Sequence, residues 1–206
     1  MMIDTVVFDM GQVLIHWNAD AILGRYDLTE EDRALLKRDL FATIEWVRLD
    51  HGTITEEEAL EIFCARLPEH LHGIAEEVVC RWWVPPLMPM EGMEELIHEL
   101  DRNGYGIYVL SNAGLSLRKY WHRLPGADCF RGVLVSAEEK LLKPQKEIFD
   151  TLLTRYGLEA EKCVFIDDLP ANCEGAVYAG MHGCIFRGDV KQLRKDLRRM
   201  GIRCEE

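Results

Sequence analysis

Short uninterrupted apolar runs alternate along this chain with longer segments whose apolar positions recur at helical spacing. The first run, Thr5 to Phe8, stops on Asp9, and a later one, Val164 to Ile166, stops on Asp167 and Asp168. Gly106 to Leu110, Val133 to Ser136 and Cys184 to Phe186 have the same strand-sized character. Between them the pattern predicts helices over Glu91 to Arg102, Leu115 to Trp121, Gln145 to Tyr156 and Ala171 to Ala179. Gly104 marks a turn, and Gly157 and Gly180 stop the last two helices. Strands alternating with helices imply a parallel sheet covered on both faces, an α/β fold.

One long stretch breaks the alternation. Thr29-Glu30-Glu31-Asp32 and Thr55-Glu56-Glu57-Glu58 fit the pattern in which a threonine caps a helix and an acid three residues on reaches back to it. Two further helices are predicted over Phe41 to Asp50 and Gly73 to Trp83. Pro85, Pro86 and Pro89 then punctuate a return linker, since proline lacks the amide donor a helix interior needs. The stretch reads as an inserted helical cap, residues 17–86, on a core made of residues 1–16 and 87–206.

With 206 residues and 48% hydrophobic content, the chain can fill one buried core and a small accessory domain. Its apolar stretches fall well short of the roughly 20 residues of a membrane helix. Met1-Met2-Ile3-Asp4 has neither a basic nor a long apolar segment, so the expected location is cytoplasmic. Cysteines 64, 80, 129, 163, 173, 184 and 204 show no metal-binding spacing and read as reduced, mostly buried thiols. The net charge of -12 excludes nucleic acid and anionic membrane as partners and makes any anionic substrate depend on local cations. Lys191, Arg194, Lys195, Arg198, Arg199 and Arg203 cluster on a C-terminal helix and read as its solvated face. A monomer and a loose homodimer both fit this composition.

Candidate chemistry follows from where the strands end. In an open parallel sheet, ligands bind at the carboxyl edge of the strands, so Asp9, Asp167 and Asp168 converge there despite their separation. Ser111-Asn112 and Lys143-Pro144 join the same edge. A carboxylate such as Asp9 can attack phosphorus in line and form an aspartyl phosphate, although Asp after a strand also serves as a turn residue. Asp167 and Asp168 repel each other unless a cation lies nearby, and magnesium is the natural one; the alternative is an acidic turn that caps the helix at Pro170. Lys143 suits the charge developing on phosphoryl oxygens. Ser111 and Asn112 suit orienting hydrogen bonds to them. Together these residues make a metal-assisted phosphoryl-transfer site.

The order Phe8-Asp9-Met10-Gly11, Leu110-Ser111-Asn112, Lys143-Pro144 and Phe165-Ile166-Asp167-Asp168, with Asn172 and Gly175-Ala176 beyond, resembles the four motifs of the haloacid dehalogenase-like (HAD) hydrolase superfamily. The helical insertion resembles the cap of the branch with haloacid dehalogenases, small phosphatases and the N-terminal phosphatase domain of soluble epoxide hydrolases. The resemblance implies a Rossmann-like parallel sheet sandwiched by helices, with magnesium as cofactor and a small phosphorylated metabolite as substrate. It implies that Asp9 is nucleophile and metal ligand, that Asp168 is a second ligand, and that Gly11 ligates through its carbonyl. Asp167 then orients Lys143 or a metal-bound water, Ser111, Asn112 and Lys143 hold phosphate, and Asn172 supports the loop.

Most phosphatases of that superfamily carry an acid–base aspartate two residues after the nucleophile, where this chain has Gly11. Positioned acid–base catalysis contributes about 10² to 10⁴-fold, so the expected substrate is a sugar phosphate or similar metabolite with an easy leaving group, as in sugar 1-phosphates and acyl phosphates. This agrees with a resemblance to a Phe-Asp-x-Gly-x-Val group that includes a bacterial α-glucose-1-phosphate phosphatase. His16 is one substitute for the lost acid. Trp17, Trp46, Trp82 and Trp83 either line a sugar pocket or fill core. The alternatives are a noncatalytic phosphometabolite-binding or regulatory protein and, against the adjacent carboxylates, a metal-free 2-haloacid dehalogenase.

Overall fold

The structure is a computed structural model and describes residues 2–205. Five strands form one sheet: β1 (Thr5–Phe8), β2 (Gly106–Ser111), β3 (Phe130–Val135), β4 (Cys163–Asp167) and β5 (His182–Ile185). All neighbours run parallel in the order β3-β2-β1-β4-β5. The strand order reverses between β1 and β4, which places a ligand crevice at their carboxyl ends.

Side chains alternate across the sheet with period two. Val6 and Phe8, with Ile107, Val109, Val164 and Ile166, face one core, shared with α6 (Met93–Arg102) and α11 (Val190–Arg199). Val7, Leu110, Leu134 and Phe165 face the other, against α9 (Lys146–Tyr156) and α10 (Pro170–Tyr178). Both faces are therefore covered, which explains why the strands read as unbroken apolar runs.

The helical insertion contains α1 (Ala19–Leu23), α2 (Glu30–Leu36), α3 (Ile44–Asp50), α4 (Glu56–Arg66) and α5 (His72–Arg81). Thr55 and Glu58 make the reciprocal cap foreseen for α4, and Thr29 caps α2 by accepting from the Asp32 amide. The predicted helix from Phe41 is broken instead. A π-helical turn, Lys37–Phe41, precedes α3, whose start is fixed by the Thr43 side chain accepting from Trp46 N at 3.3 Å. The connections to and from the insertion pair with each other: His16 N donates to Met88 O at 2.8 Å and Met90 N to Leu14 O at 2.9 Å.

Other differences have similarly local causes. Strand β3 begins at Phe130, where pairing with Ile107 starts, and Ser136 opens the short helix α8 (Ser136–Glu139) rather than ending the strand. Strand β5 starts at exposed His182, opposite Val164. A second short helix, α7 (Leu117–Tyr120), lies after β2. Arg194 is not on a solvated face, because it pairs with Glu99 on α6 in a largely buried contact. All seven cysteines are free, but only Cys163, Cys173 and Cys184 are buried; the other four are half-buried. No described helix is long and apolar enough to cross a membrane.

Candidate active site

Register brings the acids together. Phe8 pairs with Ile166 and Val109, so the next residue, Asp9, meets the ends of β4 and β2, and its amide donates to Ile166 O at 2.9 Å. Oxygen atoms of Asp9, Asp167 and Asp168 lie within 4.8 Å of one another. Lys143 Nζ sits 2.7 Å from Asp9 Oδ1 and 2.7 Å from Asp167 Oδ2, and it donates to Leu110 O at 3.2 Å. Three acceptors saturate the three ammonium protons. Burial alone would depress this ammonium's pKa, but the two carboxylates outweigh it and hold the pKa above the ordinary lysine value.

Asp167 is fully buried and satisfied by the loop that follows it. Leu169 N donates to Oδ1 at 2.8 Å, and Asn172 Nδ2 reaches both carboxylate oxygens at 3.1 and 3.0 Å. Asn172 thus sits where loop support was expected. Asp168 is half-buried and does not cap α10, whose first turn has no side-chain cap; the capping alternative does not hold. Burial, reinforced by Asp167, raises its pKa above the usual carboxylate value. Burial also pushes Asp9 up to about 6, with Lys143 pulling it down and Asp167 up.

Asn112 also braces the lysine. Its side chain accepts from Lys143 N at 2.9 Å and donates to Lys143 O at 3.1 Å, so it clamps the lysine backbone while still lining the cavity with one amide N–H uncommitted by these bonds. The two bonds fit a primary amide, one acceptor and one donor, against the N–H and C=O of a single residue. Gly175 on α10 seals the same segment, since a Cβ there would lie 2.5 Å from Pro144 O. Ser111, the buried last residue of β2, lines the cavity as foreseen.

That cavity has a volume of about 950 Å³, and Asp9, Asp168 and Gly11 are among its lining residues. A ladder of rings forms one wall: Phe41 against Trp46 at 4.8 Å, Trp46 against Trp17 at 5.8 Å, Trp17 against Trp82 at 6.0 Å and Trp82 against Tyr120 at 5.2 Å. Trp83 stacks on Tyr120 from outside the cavity. The buried indole N–H of Trp17 has no protein partner. His16 is exposed and does not line the cavity, so it is no substitute for the missing acid. Asp50, which lines the cavity from the C-terminal end of α3, was missed; its only sequence signal is an acid ending a predicted helix just before Gly52.

Three carboxylates against one lysine leave an excess of negative charge in a half-enclosed, oxygen-only donor set. These donors fit a hard divalent cation. A site of this kind on a parallel α/β sheet belongs to enzymes of the phosphoryl-transfer class. The sequence pattern of the haloacid dehalogenase-like hydrolases matches residues 3–180, and the chain belongs to that family. It is 27% identical over 158 residues to flavin mononucleotide hydrolase 1 of Arabidopsis thaliana, covering 76% of this chain and 62% of that protein. It is 26% identical over 184 residues to the sesquiterpene phosphatase astK of Aspergillus oryzae, covering 86% of each. A HAD family enzyme from Bacteroides thetaiotaomicron, solved with magnesium and inorganic phosphate, shares the fold with a TM-score of 0.68 at 20% identity, covering 93% of this chain and 98% of that one.

Proposed function

We propose that this protein is a magnesium-dependent phosphatase of small phosphorylated metabolites that works through an aspartyl phosphate on Asp9. The observation that carries the reading is the buried set Asp9, Lys143 and Asp167, with the lysine 2.7 Å from each acid and Asp168 beside them. Asp9 and Asp168, with the Gly11 carbonyl, would hold the magnesium. Bound there, magnesium supplies positive charge that neutralises phosphoryl oxygens.

This chain's own residues account for the remaining steps. Asp9 attacks phosphorus, and the alcohol leaves in line. Lys143, pinned by Asp167 and the Asn112 clamp, presents a fixed cation to the equatorial oxygens at no cost of reorganisation. Ser111 adds a hydroxyl at the same edge. The acids that would hold metal also argue against carbon–halogen chemistry on Asp9, because ionised neighbours without a cation oppose one another.

The finer reading concerns the leaving group. A wall of five rings suits the face of a ring-bearing metabolite, whether a sugar or a flat heterocycle. The relatives' names point to phosphates bulkier than the sugar 1-phosphates suggested by Gly11 alone. Phosphate release should be measured across sugar 1-phosphates, acyl phosphates, flavin mononucleotide, prenyl phosphates and p-nitrophenyl phosphate, with magnesium or EDTA. Turnover that needs both magnesium and Asp9, and vanishes in Asp9→Asn, supports the reading. Phosphate binding without turnover on any substrate would favour the noncatalytic alternative.

A further inference from the structure

We propose that Asp50, carried by the cap, is the acid–base residue of the site and supplies the carboxyl group that Gly11 withholds from the core. The assignment rests on the phosphatase reading above. Asp50 lines the cavity together with Asp9, Gly11 and Lys143, at the last position of α3.

Its position is set by a latch between cap and core. Ser136 Oγ donates to the Asp50 carbonyl at 2.5 Å while accepting from Ala113 N at 2.9 Å, which ties the end of α3 to the loop after β2. The ring nitrogen His51 Nε2 lies 2.8 Å from Lys140 O. Gly52 fits so closely against Ala137 that a Cβ would lie 2.0 Å from its carbonyl oxygen. Three consecutive cap residues are therefore seated on the core beside the reacting acids. The Gly114 amide donates to the Asp50 carboxyl, which leaves the rest of that group to face the cavity.

The surroundings suit a carboxyl that carries a proton. Burial pushes Asp50 up to about 8; the Asp9 charge adds to this, whereas the Gly114 amide and Lys143 oppose it. The remaining titratable neighbour, Tyr120, is itself raised by burial and by Asp50, so it stays neutral. A neutral carboxylic acid near neutral pH is the form a leaving alkoxide requires.

An Asp9 carboxylate oxygen forms a bond to phosphorus as the phosphorus–oxygen bond to the substrate breaks, and that bond's electron pair stays on the leaving oxygen. The leaving oxygen takes the Asp50 proton and departs as the alcohol. Water then attacks phosphorus, gives a proton to the Asp50 carboxylate, and releases phosphate and the Asp9 carboxylate. This restores the acid for the next turnover.

The test is kcat/KM, which reports steps through aspartyl-phosphate formation, for Asp50→Asn with an alkyl phosphate and with p-nitrophenyl phosphate. An alkoxide needs protonation and a nitrophenolate needs little, so the alkyl substrate should lose about 10² to 10⁴-fold and the aryl substrate at least tenfold less. Asp50→Glu should recover part of the alkyl activity. Gly11→Asp placed in the Asp50→Asn background should recover it too, since a Cβ at Gly11 meets only Trp17 Cβ, at 3.8 Å. Equal losses on both substrates, with no recovery by Gly11→Asp, would overturn the assignment and leave the phosphatase intact. No phosphate release by the unchanged chain would overturn both.

Discussion

Lys143 and Asp167 form an ion pair sealed from solvent, Nζ lying 2.7 Å from Oδ2. The same ammonium also touches Asp9, so one cation compensates two buried carboxylates. Removing a single partner from such an arrangement typically costs about 3–5 kcal/mol, because the remaining charges stay buried without compensation. Lys143→Met, which keeps the apolar stem, should lower the unfolding free energy measured in urea by an amount in that range, with a matching fall in the midpoint. It should also reduce phosphate release by about 10²-fold or more, as for other lost preorganised donors. A wild-type midpoint for this variant would show that the lysine does not stabilise the core.

Magnesium should stabilise the folded chain measurably. A ligand at a hundred times its dissociation constant adds about 2.7 kcal/mol, so the unfolding temperature should rise with magnesium and return with EDTA. Asp168→Asn should abolish most of that rise without lowering the metal-free value. Asp168 stands outside the Lys143–Asp167–Asn172 network, and its pKa is raised, so its charge is unfavourable in the metal-free fold. An unaltered magnesium response in Asp168→Asn would remove this residue from the ligand set.

What the sequence discloses here depends on whether the information is local. The runs ending on Asp9 and Asp167 are strands because both faces are buried, and parallel register alone then aligns Asp9 with Asp167. The Thr55 cap is legible because its two partners lie three residues apart. The Asn112 clamp is not, since it joins residues 31 apart in sequence. Asp50 is one acid among 36 Asp and Glu residues, and only closure of α3 onto Ser136 and Ala113 distinguishes it. The basic C-terminal run reads as solvent-facing because Glu99, the partner of Arg194, lies on a distant helix.

The pH dependence of stability carries a definite sign. The folded state holds the Asp50 proton more tightly than the unfolded chain, the pKa rising from 3.8 to about 8. Its contribution to stability is complete below the lower value and is lost as pH rises through the upper one. Asp50→Asn has no such proton to lose. In metal-free protein the unfolding temperature of Asp50→Asn relative to the parent should climb across that window and level off above it. A constant difference from mildly acidic to mildly alkaline pH would mean that Asp50 is ionised throughout.

Gly52→Ala tests the latch without touching a charged group. Gly52 has φ of +67°, where a side chain is strained, and the added Cβ would meet the carbonyl oxygen, carbonyl carbon and Cα of Ala137 at 2.0, 2.8 and 3.0 Å. Backbone on both sides leaves nothing flexible to yield. The left-handed conformation alone costs about 1–3 kcal/mol, and the collision is relieved only if the end of α3 lifts from the core. Asp50 then retreats with it, so kcat/KM should fall more for an alkyl phosphate than for p-nitrophenyl phosphate, mirroring Asp50→Asn. Gly73→Ala in α5 is the matched control, because nothing lies within 4 Å of its added Cβ and its φ is ordinary. That variant should be neutral or more stable by up to about 1 kcal/mol, with both rates unchanged. If Gly52→Ala lost stability but kept the parent's ratio of alkyl to aryl rates, the cap would be held by this contact without its positioning the chemistry.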